Sequence, residues 1–368
     1  MTRTTYAVIH LKAIRHNVQQ VRLAAPNSKI MAVIKANAYG HGLLRVAQAL
    51  NTLIDGFAVA RVQEGVCLRK AGFKQRIVVL EGFTECEELQ NLLNFDLEVS
   101  LHSQHQLEIL KHQTESKQLD VWVKIDTGMN RLGFKAHEVN HVFEQLSACN
   151  IVKKPLNFMT HFANADDKND LKTSQQIELF NHLTANYSGE KSMANSAGIL
   201  AWQDSLTDWV RAGIMLYGIS PFADSTGGQL NLQPLMSLHS RLIAVRDVAA
   251  GETVGYSGTW TSSIATKLGV VAIGYGDGYP RYAQIGTPVL VNGDRVPLVG
   301  RVSMDMITVD LGLNSTAKAG DSVTLWGEKL PIEEIAICSN TIPYTLVCGI
   351  TPRVEIVESK HPSVLKFK

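Results

Sequence analysis

No stretch of the chain is apolar for long enough to span a membrane, which argues against an integral membrane protein. Met1 to His10 lack the long apolar core of a secretory signal, so a cytoplasmic protein is expected. Cysteine is scarce: the five present (Cys67, Cys86, Cys149, Cys338, Cys348) are odd in number and include no Cys-x-x-Cys pair. That spacing speaks against a disulfide framework and a cysteine zinc site, and fits a reducing compartment. No excess of one charge exists either. A formal net charge of +1 gives no reason to expect nucleic acid or an anionic membrane as partner. Low-complexity segments are absent, and no internal repeat stands out beyond a strand–helix alternation.

What remains is a globular composition, 45% hydrophobic and 19% charged over 368 residues, enough for two domains with separate cores. Leu11, Ile14, Val18 and Val21 recur at a helical period. Short apolar strands are then expected near 30–35, 56–60, 76–81, 97–101, 120–125, 156–161, 191–195 and 209–214. Helical patterns at 42–51, 61–71, 84–94, 103–113, 136–148 and 173–186 separate them, the third opening on a Thr84–Glu87 capping box. Eight strands alternating with helices favour a closed (β/α)8 TIM-type barrel over an open sheet, which would need a reversal of strand order. Ile219 to Gly228 is rich in turn formers and reads as a joint between domains. Beyond it the pattern is β-type, with runs at 237–245, 268–273, 288–291, 295–299, 306–309 and 322–325 and one short helix around 332–338. Asn292-Gly293 between two of these runs signals a type I′ hairpin. The expected division is therefore 1–230 for the barrel and 231–368 for a mostly antiparallel β domain. Roughly the first eight residues are expected to pair with the β domain.

The polar residues fall in a telling order. Met31-Ala32-Val33-Ile34 reads as a buried strand that delivers Lys35 to its end, and a loop with Gly40 and Gly42 follows. Such a lysine more often snorkels to the surface. In a partly desolvated pocket, however, its ammonium pKa falls and the amine can form a Schiff base with a carbonyl. Active sites of such barrels lie at the carboxyl ends of the strands. Those ends here carry Lys35, Asp126 to Arg131, His161, Asn195-Ser196 and Arg211 to Ile214. The loops after strands seven and eight often bind phosphate, and Ser196 with the Gly213 and Ile214 amides suits that role. A strand-end lysine facing a phosphate cradle points to pyridoxal 5′-phosphate. Taken singly, His161 reads as a core histidine, Arg131 and Arg211 as salt-bridge partners, Tyr256 as half-buried core and Met304 as packing. Asp126 near Arg131 reads as a loop-ordering ion pair. His102/His105 and His137/His141 have helical ligand spacing, but without a supporting carboxylate or cysteine cluster no metal site is expected.

Joint placement changes that reading. Val33-Ile34-Lys35-Ala36-Asn37-Ala38-Tyr39-Gly40-His41-Gly42 resembles the pyridoxal-lysine signature of alanine racemases. The resemblance runs the length of the chain through seven further blocks. These include Lys124 to Gly133, Met159 to Phe162, Asn195 to Ala197, Arg211 to Gly218, Val254 to Tyr256, Gly274 to Arg281 and Gly300 to Asp305. It implies a barrel plus a β domain and a head-to-tail homodimer with both sites at the interface. The implied activity is interconversion of L- and D-alanine by a two-base mechanism, supplying D-alanine for peptidoglycan in bacteria. Lys35, which also carries the cofactor, is implied as one base and Tyr256 of the partner subunit as the other. An ordinary tyrosine phenol has a pKa near 10, so a base acting near neutrality needs it lowered by about 3 units, about 4 kcal/mol. The resemblance sets His161 beside that phenol and Arg211 beyond it, as a cationic relay.

Further roles follow from the same resemblance. Arg211 faces the pyridine nitrogen, which keeps that nitrogen unprotonated and disfavours stray transamination. Tyr39 and Ser196 bind phosphate with the backbone of Gly213 and Ile214, and Asn195 adjoins them. Arg131 binds the cofactor's phenolic oxygen and, with Met304 of the partner subunit, the substrate carboxylate. Tyr275 narrows the entrance. Lys124 matches a position carbamylated in some members, where it orients Arg131. One departure stands out: Pro352 occupies a place where the family usually has a tyrosine that touches the phosphate and narrows the channel. The alternatives are a racemase of larger amino acids, a non-catalytic carrier of the same cofactor, and a decarboxylase. The carrier lacks a β domain and an opposing tyrosine, and the decarboxylase sets a carboxylate where this chain has Arg211.

Overall fold

The structure, a computed structural model, describes residues 4–113 and 117–359. They form two compact units: Asn17–Leu216, and the residues up to His16 together with those from Tyr217 onward. The barrel unit ends at Leu216, and the turn-rich segment 219–228 belongs to the β unit. Glu333 anchors that segment by accepting the Ser220 and Gly227 amides at 2.9 and 2.8 Å.

Strand β1 (Tyr6–Ile9) leads into helix α1 (Leu11–Ala24), which buries Ile14, Val18 and Val21 as their spacing requires. The barrel then follows in chain order: β2 (Lys29–Val33), α2 (Lys35–Tyr39), α3 (Leu43–Leu50), β3 (Gly56–Val59), α4 (Val62–Lys70), β4 (Arg76–Val79) and α5 (Cys86–Asn94). Next come β5 (Glu98–Leu101), α6 (Gln104–Lys111), β6 (Val121–Lys124), α7 (Val139–Ser147), β7 (Asn157–Met159) and α8 (Lys172–Thr184). The last elements are β8 (Lys191–Ser192), α9 (Ser196–Ala201) and β9 (Trp209–Ala212). Strands β2 to β9 pair in parallel and close on themselves, Ile30 of β2 opposite Val210 of β9. All eight expected barrel strands are present; α9 is an addition. Its Asn195 cap, whose side chain accepts the Gly198 amide at 2.9 Å, was a readable signal. The capping expected at Thr84–Glu87 is shifted by one residue. Glu88 takes both the amide and the hydroxyl of Thr84, at 2.8 and 3.1 Å, because the helix begins at Cys86.

At the amino-terminal end of the strands Arg76 lies against Trp122 and Trp209 and pairs with Glu98 and Glu190. Charges satisfied in this way serve stability at the end of the barrel where chemistry is not expected.

The β unit is built on β10 (Met236–Val248), with the small pair β11 (Thr253–Val254) and β12 (Trp260–Thr261) beside it. The other elements are β13 (Thr266–Val271), β14 (Pro288–Val291), β15 (Asp294–Val299), β16 (Ile307–Asp310), β17 (Ser322–Trp326), α10 (Ile332–Cys338), α11 (Pro343–Cys348) and β18 (Glu355–Glu358). Its eight-stranded sheet runs β13-β16-β15-β14-β17-β10-β1-β18, antiparallel except for the pair β1–β18. The Asn292–Gly293 turn joins β14 to β15 with φ of 52° and 96°, as a type I′ hairpin needs. Two helices stand where one was expected; Pro343 at the first turn of α11 is the signal for the second. Among the described residues no helix is long and apolar enough to cross a membrane.

Candidate active site

Ile30 to Ile34 are buried, and the apolar run ends at Lys35 on the carboxyl-terminal rim of the barrel. The chain then does something its composition does not advertise. Ala36, Asn37, Ala38 and Tyr39 all have φ between 52° and 54°, one left-handed turn, closed by Gly40 at 81°. For non-glycine residues this costs roughly 1–2 kcal/mol each, so other interactions must hold it. Glu64 accepts the Ala36 amide at 2.7 Å together with the Ala60 and Arg61 amides. Asn37 accepts the Leu43 amide at 2.9 Å, and Ala38 and Tyr39 are buried. The turn carries Tyr39 inward: its hydroxyl would lie 3.0 Å from a Cβ built on Gly213.

Ser196 completes that corner. Its Oγ accepts the Gly213 amide at 3.0 Å and the Met215 amide at 3.3 Å. Asn195, the residue before it, caps α9 with its side-chain oxygen. Ile214 opens a 3-10 turn, and the first amides of such a turn have no acceptor within it. A phenol, a hydroxyl and main-chain amides therefore converge beside a glycine whose missing side chain leaves the corner open.

The same rim is also cationic. Arg211, on β9, is buried and donates to Ser192 O and Oγ, Thr160 O, Met193 O and, at 3.3 Å, His161 Nδ1. Burial lowers its pKa to about 10, still fully charged near neutrality. A guanidinium can only donate, so His161 Nδ1 accepts and the ring proton sits on Nε2. Burial, then Arg211, Lys124, Arg131 and Lys35, push the His161 pKa well below its ordinary value. His161 is consequently neutral, and the positive charge expected of the relay resides on Arg211 alone. Lys124, 8% exposed at the end of β6, is lowered to about 8 by burial and by Arg211, Arg131 and Lys35, with Asp126 opposing.

Asp126 does order the loop after β6, but not through Arg131. Its Oδ1 accepts the Gly128 and Asn130 amides, both at 3.0 Å, and its Oδ2 pairs with Lys135 at 2.6 Å. Arg131 is left exposed on that loop. Gln176, 1% exposed, ties the loop to its neighbour: it donates to Thr127 Oγ1 and His161 O and accepts the Ala163 amide. Glu64, Gln176 and Ser192 were not anticipated. Only Gln176 carries a local signal, as a polar residue on the buried stripe of Thr173, Ile177 and Phe180. His102 and His105 bond to the Glu81 and Thr84 carbonyls, and no group of three metal-ligating side chains occurs among the described residues.

The barrel unit thus gathers Lys35, Tyr39, Lys124, Arg131, His161, Asn195, Ser196, Arg211, Gly213 and Ile214 at one rim. Tyr256, Tyr275 and Met304 belong to the β unit, at 68%, 40% and 53% exposure. Tyr256 is therefore not the half-buried core residue it reads as in isolation. It opens a short turn after Gly255 (φ 74°), and Tyr275 lies 5.9 Å from the Arg281 guanidinium.

Similarity to known proteins also divides the chain in two, near these bounds. Residues 9–221 match the family model for the alanine racemase N-terminal domain, and residues 235–358 that for the C-terminal domain. The chain is 52% identical over 350 residues to an alanine racemase of Shewanella sediminis, covering 95% of this chain and 98% of that protein. It is 52% identical over 352 residues to that of Aeromonas hydrophila, covering 96% and 98%. Among solved structures, the biosynthetic alanine racemase of Pseudomonas aeruginosa superposes with a TM-score of 0.94 at 42% identity, covering 97% and 100%. The Bartonella henselae alanine racemase with covalently bound pyridoxal phosphate superposes at 0.89 with 29% identity, covering 97% and 100%.

Proposed function

The chain belongs to the alanine racemase family, isomerases acting on alanine, and from that premise we propose a two-base reaction shared between subunits. Lys35 works on one face of the substrate α-carbon and Tyr256 of the partner subunit on the other. The observation that carries this reading is the rim itself, a lysine amine and a corner of hydroxyls and main-chain amides set among cations. The residues fit pyridoxal 5′-phosphate: Lys35 offers the amine, and Tyr39, Ser196 and the Gly213 and Ile214 amides offer the anion cradle. A Cβ on Gly213 would close that cradle against Tyr39. When bound, the cofactor withdraws electrons from the substrate α-carbon and makes its proton removable.

The protein's own groups then handle the proton and the charge. Lys35 holds or releases it on one side, and the phenol of Tyr256 of the partner subunit does so on the other. His161, protonated at Nε2, is the donor that stabilises the phenolate, and Arg211 holds the ring in that tautomer through Nδ1. Arg131 and Met304 of the partner subunit bind the substrate carboxylate, and Tyr275 narrows the approach. The exposed Tyr256, Ile264, Tyr275, Tyr282 and Met304 suit a β unit that a second copy covers. The setting is cytoplasmic, with D-alanine destined for peptidoglycan, in keeping with the biosynthetic relative of Pseudomonas aeruginosa.

Cofactor-loaded protein given L-alanine should drive it to equal amounts of the two enantiomers, read by chiral chromatography. Larger amino acids racemised as fast as alanine would shift the reading to the broader racemase, and no conversion at all to the carrier. Lys124 adds a separate expectation. With its pKa near 8 a good fraction of its amine is neutral at that pH, and three cations surround it. Carbamylation by carbon dioxide would replace one cation of the cluster with an anion. Protein equilibrated with 13C-bicarbonate should give a carbamate carbon resonance that Lys124→Ala lacks; an identical signal in both would remove the assignment.

A further inference from the structure

Arg353 joins two turns of the β unit, one that follows β13 and one that precedes its neighbour β16. Its Nε lies 3.3 Å from Asp277 Oδ1 and its Nη2 2.8 Å from Asp305 Oδ1. Asp277 is buried and spends its other oxygen on the Gly274 amide at 3.0 Å. Asp305 is exposed and directly follows Met304. The turns also touch through main chain, Tyr275 N donating to Ser303 O at 3.1 Å and Gly276 N to Met304 O at 2.8 Å. Gly276 is the residue over which the guanidinium passes: a Cβ there would collide with Nη1. The segment bearing Arg353 is itself fastened, Thr351 donating from its amide to Asp277 O and from its hydroxyl to Gly276 O.

The arm to Asp305 is exposed at both ends and contributes little to stability, so that half of the arrangement is poorly explained as scaffolding. What it fixes is distance. The planar, permanently charged fork of arginine spans two carboxylates that stand next to Met304 and two residues from Tyr275. We propose that Arg353 is a positioning residue whose clasp of Asp277 and Asp305 sets the spacing between Tyr275 and Met304, and so the size of amino acid admitted. The proposal rests on the reading that Met304 meets the substrate carboxylate and Tyr275 bounds the approach.

The test is steady-state kinetics of the holoenzyme with L-alanine and with the bulkier L-serine. Arg353→Met should raise KM for alanine on the order of tenfold with kcat changed less than about twofold, and shift the serine-to-alanine ratio of kcat/KM toward serine. Arg353→Lys, a point charge that reaches one carboxylate at a time, should recover part of both effects. Asp305→Asn should reproduce them, and the double variant should be no worse than Arg353→Met, because the clasp is already open. Unchanged KM and unchanged selectivity in Arg353→Met and Asp305→Asn would overturn the proposal. So would equal loss of kcat for both substrates accompanied by a lower Tm. If Arg353→Met does not fold, the exposed Asp305→Asn decides alone. A wild type that racemises neither amino acid overturns the underlying reading of the site, and the clasp with it. A wild type that racemises alanine beside unaltered variants overturns only the clasp.

Discussion

Lys35→Ala should lose alanine racemisation by on the order of 10⁴-fold or more in both directions. Two losses combine in this one side chain. A positioned acid–base group contributes roughly 10²–10⁴-fold, and this amine also stands at the end of the apolar strand, just before the cradle turn. Stability should not follow activity down. Lys35 adds to the charge that depresses Lys124 and His161, so its removal relieves like-charge repulsion and should raise the Lys124 pKa. The left-handed turn beyond it is held by Glu64 and Asn37, neither of which the substitution touches. Partial rescue of the variant by a small exogenous amine would support the base role. Residual activity within tenfold of wild type would remove Lys35 from the chemistry.

Tyr256→Phe carries the second large effect, a fall of on the order of 10³-fold in racemisation with the fold intact. The phenol is exposed on its own chain, at the start of a short turn, so loss of its hydroxyl leaves no buried partner unsatisfied. The deficit should lie in kcat rather than KM, because the hydroxyl acts on the proton and not on the carboxylate. A change confined to KM would make Tyr256 a binding residue only.

How much of this was legible beforehand depended on how local its cause was. The barrel strands, the Asn292–Gly293 hairpin and the order of polar residues at the strand ends follow from periodicity and turn chemistry that the sequence carries along itself. The left-handed turn at Ala36–Tyr39 does not. Alanine and tyrosine do not favour that conformation, and its stabilisation comes from Glu64, a residue on α4. The tautomer of His161 was likewise hidden, since it depends on Arg211, fifty positions away in sequence. In the sequence Arg131 reads as the partner of Asp126 because it is closer, whereas the loop bends Lys135 back onto the carboxylate. Glu88 supplanted Glu87 at Thr84 for a similar reason, a helix start one residue later than its capping pattern suggested.

The claim at the centre is that two different groups serve the two faces of the α-carbon. Proton NMR of L-alanine and, separately, of D-alanine in D2O with the cofactor-loaded wild type and with Tyr256→Phe, joined to chiral analysis of the product, tests it most directly. Two bases require that the wild type form D-alanine carrying deuterium at the α-carbon. They also require that Tyr256→Phe nearly cease to invert configuration while still exchanging the α-proton of the enantiomer that presents it to Lys35. Inversion by Tyr256→Phe within about tenfold of the wild-type rate, with the α-proton retained in the product, would mean that one group serves both faces.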